Sequence, residues 1–153
     1  MADFFQFEAD FIEELRCIPM QVRLKLDTCG VKLKLTHWHN FSQQERQLVL
    51  DLPCTTPGEI TAYKQFLQSL VTEKTGAPAK ELAVESNPPW LNGEIIPQQV
   101  EEKAEELGVK LTVKQWGSLT ALQRFALIKL SRPSHENRNF YPALQEFGLV
   151  ISY

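Results

Sequence analysis

Residues 18–38, IPMQVRLKLDTCGVKLKLTHW, return at 96–116 as IPQQVEEKAEELGVKLTVKQW. Laid at full length, 16–52 over 94–130, the two copies need no gap and agree at 12 of 37 positions. Among these are Ile18/Ile96, Pro19/Pro97, Gly30/Gly108, Trp38/Trp116 and Arg46/Arg124. A repeat of this kind is an internal control. A residue type kept in both copies serves the shared fold, and one found in a single copy is free to serve function.

Each copy opens on Ile-Pro and closes its first element on glycine. Proline suits the first helical position, and glycine suits the position just past a helix end. Helices are therefore expected over 19–29 and 97–107. Ile18, Val22, Leu26 and Cys29 share one face, as do Ile96, Val100, Ala104 and Leu107. The following segments, Val31-Lys32-Leu33-Lys34-Leu35 and their counterparts from Val109, alternate apolar and polar. That pattern allows a short strand or a loop entering a one-turn helix at Trp38 and Trp116.

A second helix is signalled by capping boxes, Ser42 with Glu45 and Thr120 with Gln123. Its inner face is predicted as Leu48, Val49 and Leu52, and as Ala126, Leu127 and Leu130 in the second copy. A third helix follows. Thr56-Pro57-Gly58-Glu59 starts it, with Ile60, Tyr63, Leu67, Leu70 and Val71 on the inner face up to Gly76. In copy two a shorter helix from Ser134 carries Tyr141, Leu144 and Phe147, interrupted or kinked at Pro142 before Gly148.

The expected fold is mainly α: one domain over 1–153, built from two pseudo-symmetric three-helix repeats at about 16–76 and 94–148. A proline-rich linker at 77–93 joins them, with Trp90 as its anchor. Short strands are allowed after each first helix and at the apolar termini, 4–11 and 149–153.

With 153 residues, 43% of them hydrophobic, the chain has enough apolar surface for a normal core. A net charge of −3 argues against non-specific nucleic-acid binding, which needs a basic face that this balance does not suggest. No apolar run reaches the length of a membrane span, and the first ten residues are acidic and aromatic, unlike a signal peptide. Three cysteines without CxxC spacing suit a reducing compartment. The expectation is a cytoplasmic protein.

The repeat sorts the candidate residues. Cys17 and Cys29 lie over Ile95 and Leu107, so both read as core. Cys54 lies over Arg132, beside Pro53 at a helix end, and is expected near the surface as a candidate reactive or ligating thiol. His37 and His39 flank Trp38 where copy two has Gln115 and Gly117. On an extended segment they could share a metal with Cys54, and on a helix they would point apart. The run Glu101, Glu102, Glu105 and Glu106 reads as an exposed face.

The first helix also carries an extra apolar edge, Cys17, Met20 and Leu24, where copy two has Ile95, Gln98 and Glu102. Either the N-terminal phenylalanines Phe4, Phe5, Phe7 and Phe11 cover it, or a protein partner does. In the second case Arg16, Cys17, Met20, Arg23 and Leu24 form the contact. No phosphate loop, GxSxG, zinc-helix motif or paired-carboxylate cluster is present, which points away from an enzyme and names no cofactor.

Phe7-Glu8-Ala9-Asp10-Phe11, then Leu15-Arg16-Cys17-Ile18-Pro19-Met20, Val22-Arg23, Lys25-Leu26-Asp27, Cys29-Gly30, Trp38, Glu45-Arg46 and Pro53-Cys54 together resemble the nitrate-reductase-associated protein family. The resemblance implies a non-enzymatic accessory or maturation factor. It would bind assimilatory nitrate reductase, a molybdenum-cofactor enzyme, and be required for its activity. The alternatives are a metal- or cofactor-handling protein using Cys54, His37 and His39, and a small enzyme with an unrecognised site.

Overall fold

The computed structural model describes residues 4–8 and 17–150, apart from the side chains of His135 and Glu136. Eight α-helices are found among the described residues: α1 Met20–Cys29, α2 Leu35–His39, α3 Gln43–Asp51, α4 Pro57–Thr75, α5 Gln98–Glu106, α6 Val113–Ser118, α7 Ala121–Leu130 and α8 Phe140–Glu146. Two short strands, β1 Val31–Lys32 and β2 Lys80–Glu81, pair antiparallel with Val31 opposite Glu81. The protein is mainly helical, as expected. The starts of α1 and α5, α2 and α6, and α3 and α7 each lie seventy-eight residues apart, the spacing of the sequence repeat.

The helix boundaries follow from local chemistry. Ser42, Thr56, Thr112 and Thr120 each accept a hydrogen bond from the backbone N–H three residues on, and the residue there accepts one back from the cap N–H. Pro57 holds the first position of α4. Pro19 and Pro97, in contrast, sit one residue earlier than expected, as N-caps of α1 and α5 with no side chain to offer. For α1 the missing cap comes from elsewhere: buried Glu8 accepts the Met20 N–H at 2.8 Å. A carboxylate is well placed against the positive end of a helix.

The described residues divide into two compact units at Glu85/Ser86, with Phe5–Phe7 counted in the second. Unit one is built on α1 to α4. Its core joins Val22, Leu26 and Cys29 from α1 with Trp38, Val49, Leu50, Cys54, Tyr63, Leu67 and Val71. The strand pair closes one side, where Gly30 lies at φ +79° and a Cβ there would stand 2.7 Å from the Leu82 carbonyl oxygen. The Leu82 N–H donates to the Gly30 carbonyl, so this turn requires both the left-handed conformation and the missing side chain. Gly108, its repeat partner, shares the positive φ but meets nothing within 4 Å. Lys80 and Glu81 fall inside the expected linker 77–93, whose first half thus belongs to unit one.

Unit two is organised on α7, which buries Arg124, Phe125, Ala126, Leu127, Ile128 and Leu130. A helix apolar nearly all round must sit at the centre of its unit. The Pro89–Leu91 turn, α5 and α8 pack on it. Trp90 is buried and stands edge-on to Phe125 at 5.1 Å, the anchoring role expected of it.

Several inner-face expectations need correction. Leu48 is 48% exposed and Leu50 takes its place in the core, while Val49 is buried and Leu52 packs against the cluster as predicted; α3 is turned by about one residue, roughly 100°, from the predicted face. Leu107 and Tyr141 are also exposed, the first because α5 ends one residue before it. The segment expected as one helix from Ser134 is interrupted: His135–Asn139 is a 3-10 turn and α8 begins only at Phe140, with Pro142 in its first turn, where its missing N–H would have no helical acceptor. Near the termini, 6–8 form a 3-10 turn and 149–150 no strand. The remainder of those two segments, Phe11 included, lies outside the described residues.

Candidate functional site

Four side chains of unit one converge behind the last turn of α3. Lys25 and Cys29 sit one turn apart on α1 and therefore share a face. Tyr63 comes from α4, and Cys54 follows Pro53 just beyond α3. The Lys25 ammonium donates to the Leu50 and Leu52 carbonyls at 2.5 and 2.6 Å, and the Tyr63 hydroxyl donates to the Val49 carbonyl at 2.7 Å. These are carbonyls that the end of α3 leaves without intrahelical donors, so α1 and α4 together cap α3. Lys25 also stands 5.7 Å from the centre of the Tyr63 ring.

The two thiols lie against this cap. Cys54 is 8% exposed and Cys29 3%. The Cys54 thiol donates to the Lys25 carbonyl and the Cys29 thiol to the Leu26 carbonyl, each at 3.8 Å. The nearness of Cys29 is the main reason why the Cys54 pKa is pulled below the ordinary thiol value, with Lys25 adding to the effect against the opposing influence of burial. The nearness of Cys54, together with burial, pushes Cys29 up. Burial lowers Lys25 and raises Tyr63. Of the two thiols, Cys54 is the one whose ionisation Lys25 favours.

This site differs from expectation. Cys54 was predicted near the surface, but Pro53 turns the chain inward and places its sulfur on α1. Cys29 was predicted as core and is buried, in the same cluster as Cys54. The one sequence signal was the Lys25/Cys29 spacing of four next to a cysteine found in a single copy. Copy two has Lys103, Leu107 and Arg132 at the corresponding positions, and there Lys103 pairs with Glu106 at 3.5 Å instead.

His37 and His39 lie on α2, so their side chains point apart. His37 Nδ1 accepts the Lys34 N–H at 3.1 Å, and burial followed by Lys34 lowers its pKa. Among the described residues no group of three His, Cys, Asp or Glu side chains is placed to hold a metal ion, so the two histidines do not assemble with Cys54. On the α1 edge, Met20 is buried, while Cys17, Arg23 and Leu24 are half-buried; Arg16 lies outside the described residues. Phe5 and Phe7 are counted in unit two, where they stack on each other and meet the Phe147 ring at 59° and 67°. Phe4 is 40% exposed.

The residues kept in both copies do structural work. Arg46 Nε donates to the Trp38 carbonyl at 3.0 Å, and Arg124 Nη1 reaches the Trp116 carbonyl at 3.3 Å. Arg124 goes further, donating to the Leu119 and Trp90 carbonyls at 2.6 and 2.7 Å. Gly117 stands where copy one has His39 because a Cβ there would meet the Gly93 carbonyl oxygen at 2.9 Å. Next to this contact, residues 86–97 line an open cleft of about 620 Å³ in unit two. On it Leu91 and Ile95 are 63% and 64% exposed.

The family model for conserved nitrate reductase-associated proteins matches residues 4–147. The chain belongs to that family. The match takes in both copies of the repeat, the thiol pair and the cleft, so the nitrate reductase-associated family extends well beyond the N-terminal motifs that first suggest it. No match was found among curated proteins or solved structures. Among the described residues of this nitrate reductase-associated protein, no helix is long and apolar enough to cross a membrane.

Proposed function

We propose that this protein is a non-enzymatic accessory factor that binds assimilatory molybdenum nitrate reductase and is needed for its activity. Family membership over 4–147 carries the reading. The titratable cluster supports it, since Lys25, Cys29, Cys54 and Tyr63 are built into a core and not into an open substrate cleft. The contact with the reductase is placed on the cleft of unit two. Leu91 and Ile95 stand far into solvent there, and apolar side chains next to a concavity suit the centre of a protein interface. On the α1 edge, by comparison, Met20 is buried and Cys17, Arg23 and Leu24 are half-buried among the described residues.

Deletion and complementation in a nitrate-assimilating host test this reading. Loss of the protein is expected to lower reductase activity in extracts, at unchanged reductase protein, by on the order of tenfold or more. The wild-type gene should restore it. The double variant Leu91→Asp/Ile95→Asp should not, and Arg23→Glu should. Unchanged activity after deletion would overturn the requirement; failure of Arg23→Glu alone would move the contact back to α1.

A further inference from the structure

The packing that hides Cys29 and Cys54 from solvent also brings them into one cluster, with the Cys54 sulfur 3.8 Å from the Lys25 carbonyl oxygen, one turn of α1 before Cys29. Cys29 is the last residue of α1, and Cys54 lies two residues past Leu52, the C-cap of α3. Lys25, one turn before Cys29, holds that same segment by its bonds to the Leu50 and Leu52 carbonyls. Lys25 therefore holds Cys54 beside the end of α1 twice, through its ammonium on the preceding segment and through its carbonyl on the Cys54 thiol itself, one turn from Cys29.

We propose that Cys29 and Cys54 are a redox dithiol, which hydrogen peroxide converts to an intramolecular disulfide with Cys54 as the attacking sulfur and Cys29 as the resolving one. The inference is independent of the reductase reading. Two observations assign the roles. Cys54 is the more exposed of the two sulfur-bearing residues, and it follows directly on the segment that the Lys25 ammonium holds, within the field of that cation. The thiolate is the nucleophile in such chemistry, and a neighbouring cation favours it.

The chemistry balances in two steps. The Cys54 thiolate attacks one peroxide oxygen, the O–O bond breaks, and hydroxide leaves to be protonated to water, so that Cys54 becomes a sulfenic acid. The Cys29 sulfur then gives up its proton and attacks the Cys54 sulfur. The S–O bond breaks and a second water leaves. Two thiols are oxidised, one peroxide is reduced, and a dithiol such as dithiothreitol reverses the change. The bond closes the sulfurs to about 2.05 Å and ties α1 to the segment beyond α3. The repeat agrees with a role outside the fold, since copy two has Leu107 and Arg132 at these places.

The test uses the purified, reduced full chain. It is exposed to hydrogen peroxide under native conditions, quenched with catalase, unfolded in N-ethylmaleimide, and read by intact mass and peptide mapping. The expected result is a loss of about 2 Da, one maleimide adduct where the reduced control carries three, and a Cys29–Cys54 cross-linked peptide pair. Mapping of the wild-type chain requires no variant to fold. Cys29→Ser should stop at a dimedone-trappable sulfenic acid on Cys54, and Cys17→Ser should behave as wild type. Three adducts after peroxide, a bridge that includes Cys17, or oxidation of Cys54 to the sulfinic acid with Cys29 left free would each overturn the proposal.

Discussion

Arg124→Ala is expected to destabilise the protein by about 3 kcal/mol and to move the urea midpoint of unit two down by on the order of 1.5 M. The guanidinium is 9% exposed and ties together three parts of the unit: the Trp90 turn, the end of α6 at Trp116, and Leu119 just before α7. Each of these bonds is charge-assisted and worth about 1.5 kcal/mol or more, which outweighs the relief of no longer burying one cation. Alanine leaves the three carbonyls behind without their donor. Arg124→Met separates the contributions, since it keeps most of the volume and loses all the donors; it should be nearly as destabilised as alanine. Lysine should recover less than half, because one ammonium cannot span carbonyls held by a planar fork. Arg46→Ala, half-buried at the matching position, should cost only about 1 kcal/mol. A methionine variant as stable as wild type would show that packing, not the carbonyls, is what Arg124 serves.

Trp38→Ala is the second large effect, with an expected loss of about 3–5 kcal/mol from the cavity left in unit one. The indole is fully buried, stands edge-on to Phe41 at 6.2 Å, and has the Arg46 guanidinium 5.9 Å from its ring centre. Trp38→Phe keeps an aromatic in the same place and should cost less than half as much. Thermal or urea unfolding followed by far-UV circular dichroism measures both. If alanine cost under about 1 kcal/mol, the site would have to collapse around the missing ring, and the shared tryptophan would not be a determinant of the fold.

The two effects show which parts of this molecule a linear reading can reach. Capping boxes are local, so Ser42/Glu45, Thr56/Glu59 and Thr120/Gln123 name their helix starts from spacing alone. Gly30 and Gly76 likewise mark helix ends. Trp38 and Trp116 are kept in both copies and are buried in both. What depends on how elements are rotated was less legible. Leu48 and Leu50 are equally apolar, and only the packing of α3 against α1 and α4 decides that Leu50 faces in. The cap of α1 comes from Glu8, twelve residues away, and no local pattern announces it. The same reason hid the thiol pair: twenty-five residues separate Cys29 from Cys54, and their meeting depends on the turn at Pro53 and on the reach of Lys25. The internal repeat did isolate Cys54 as a residue the fold does not demand, but it could not supply its partner. The α1 edge shows the opposite case, where an apolar surplus read from one copy turned out to be largely folded in at Met20.

The dithiol and the cleft lie in different units, so oxidation and partner binding can be varied separately by Cys54→Ser and by Leu91→Asp/Ile95→Asp. The measurement that addresses the central claim most directly is size-exclusion chromatography with light scattering of the reduced protein mixed with assimilatory nitrate reductase, in apo and cofactor-loaded forms. A complex with the apo enzyme, lost on Leu91→Asp/Ile95→Asp substitution, is the predicted result; equal binding to the loaded enzyme would make the protein a lasting subunit. Separate elution from both forms at micromolar concentrations would contradict the account.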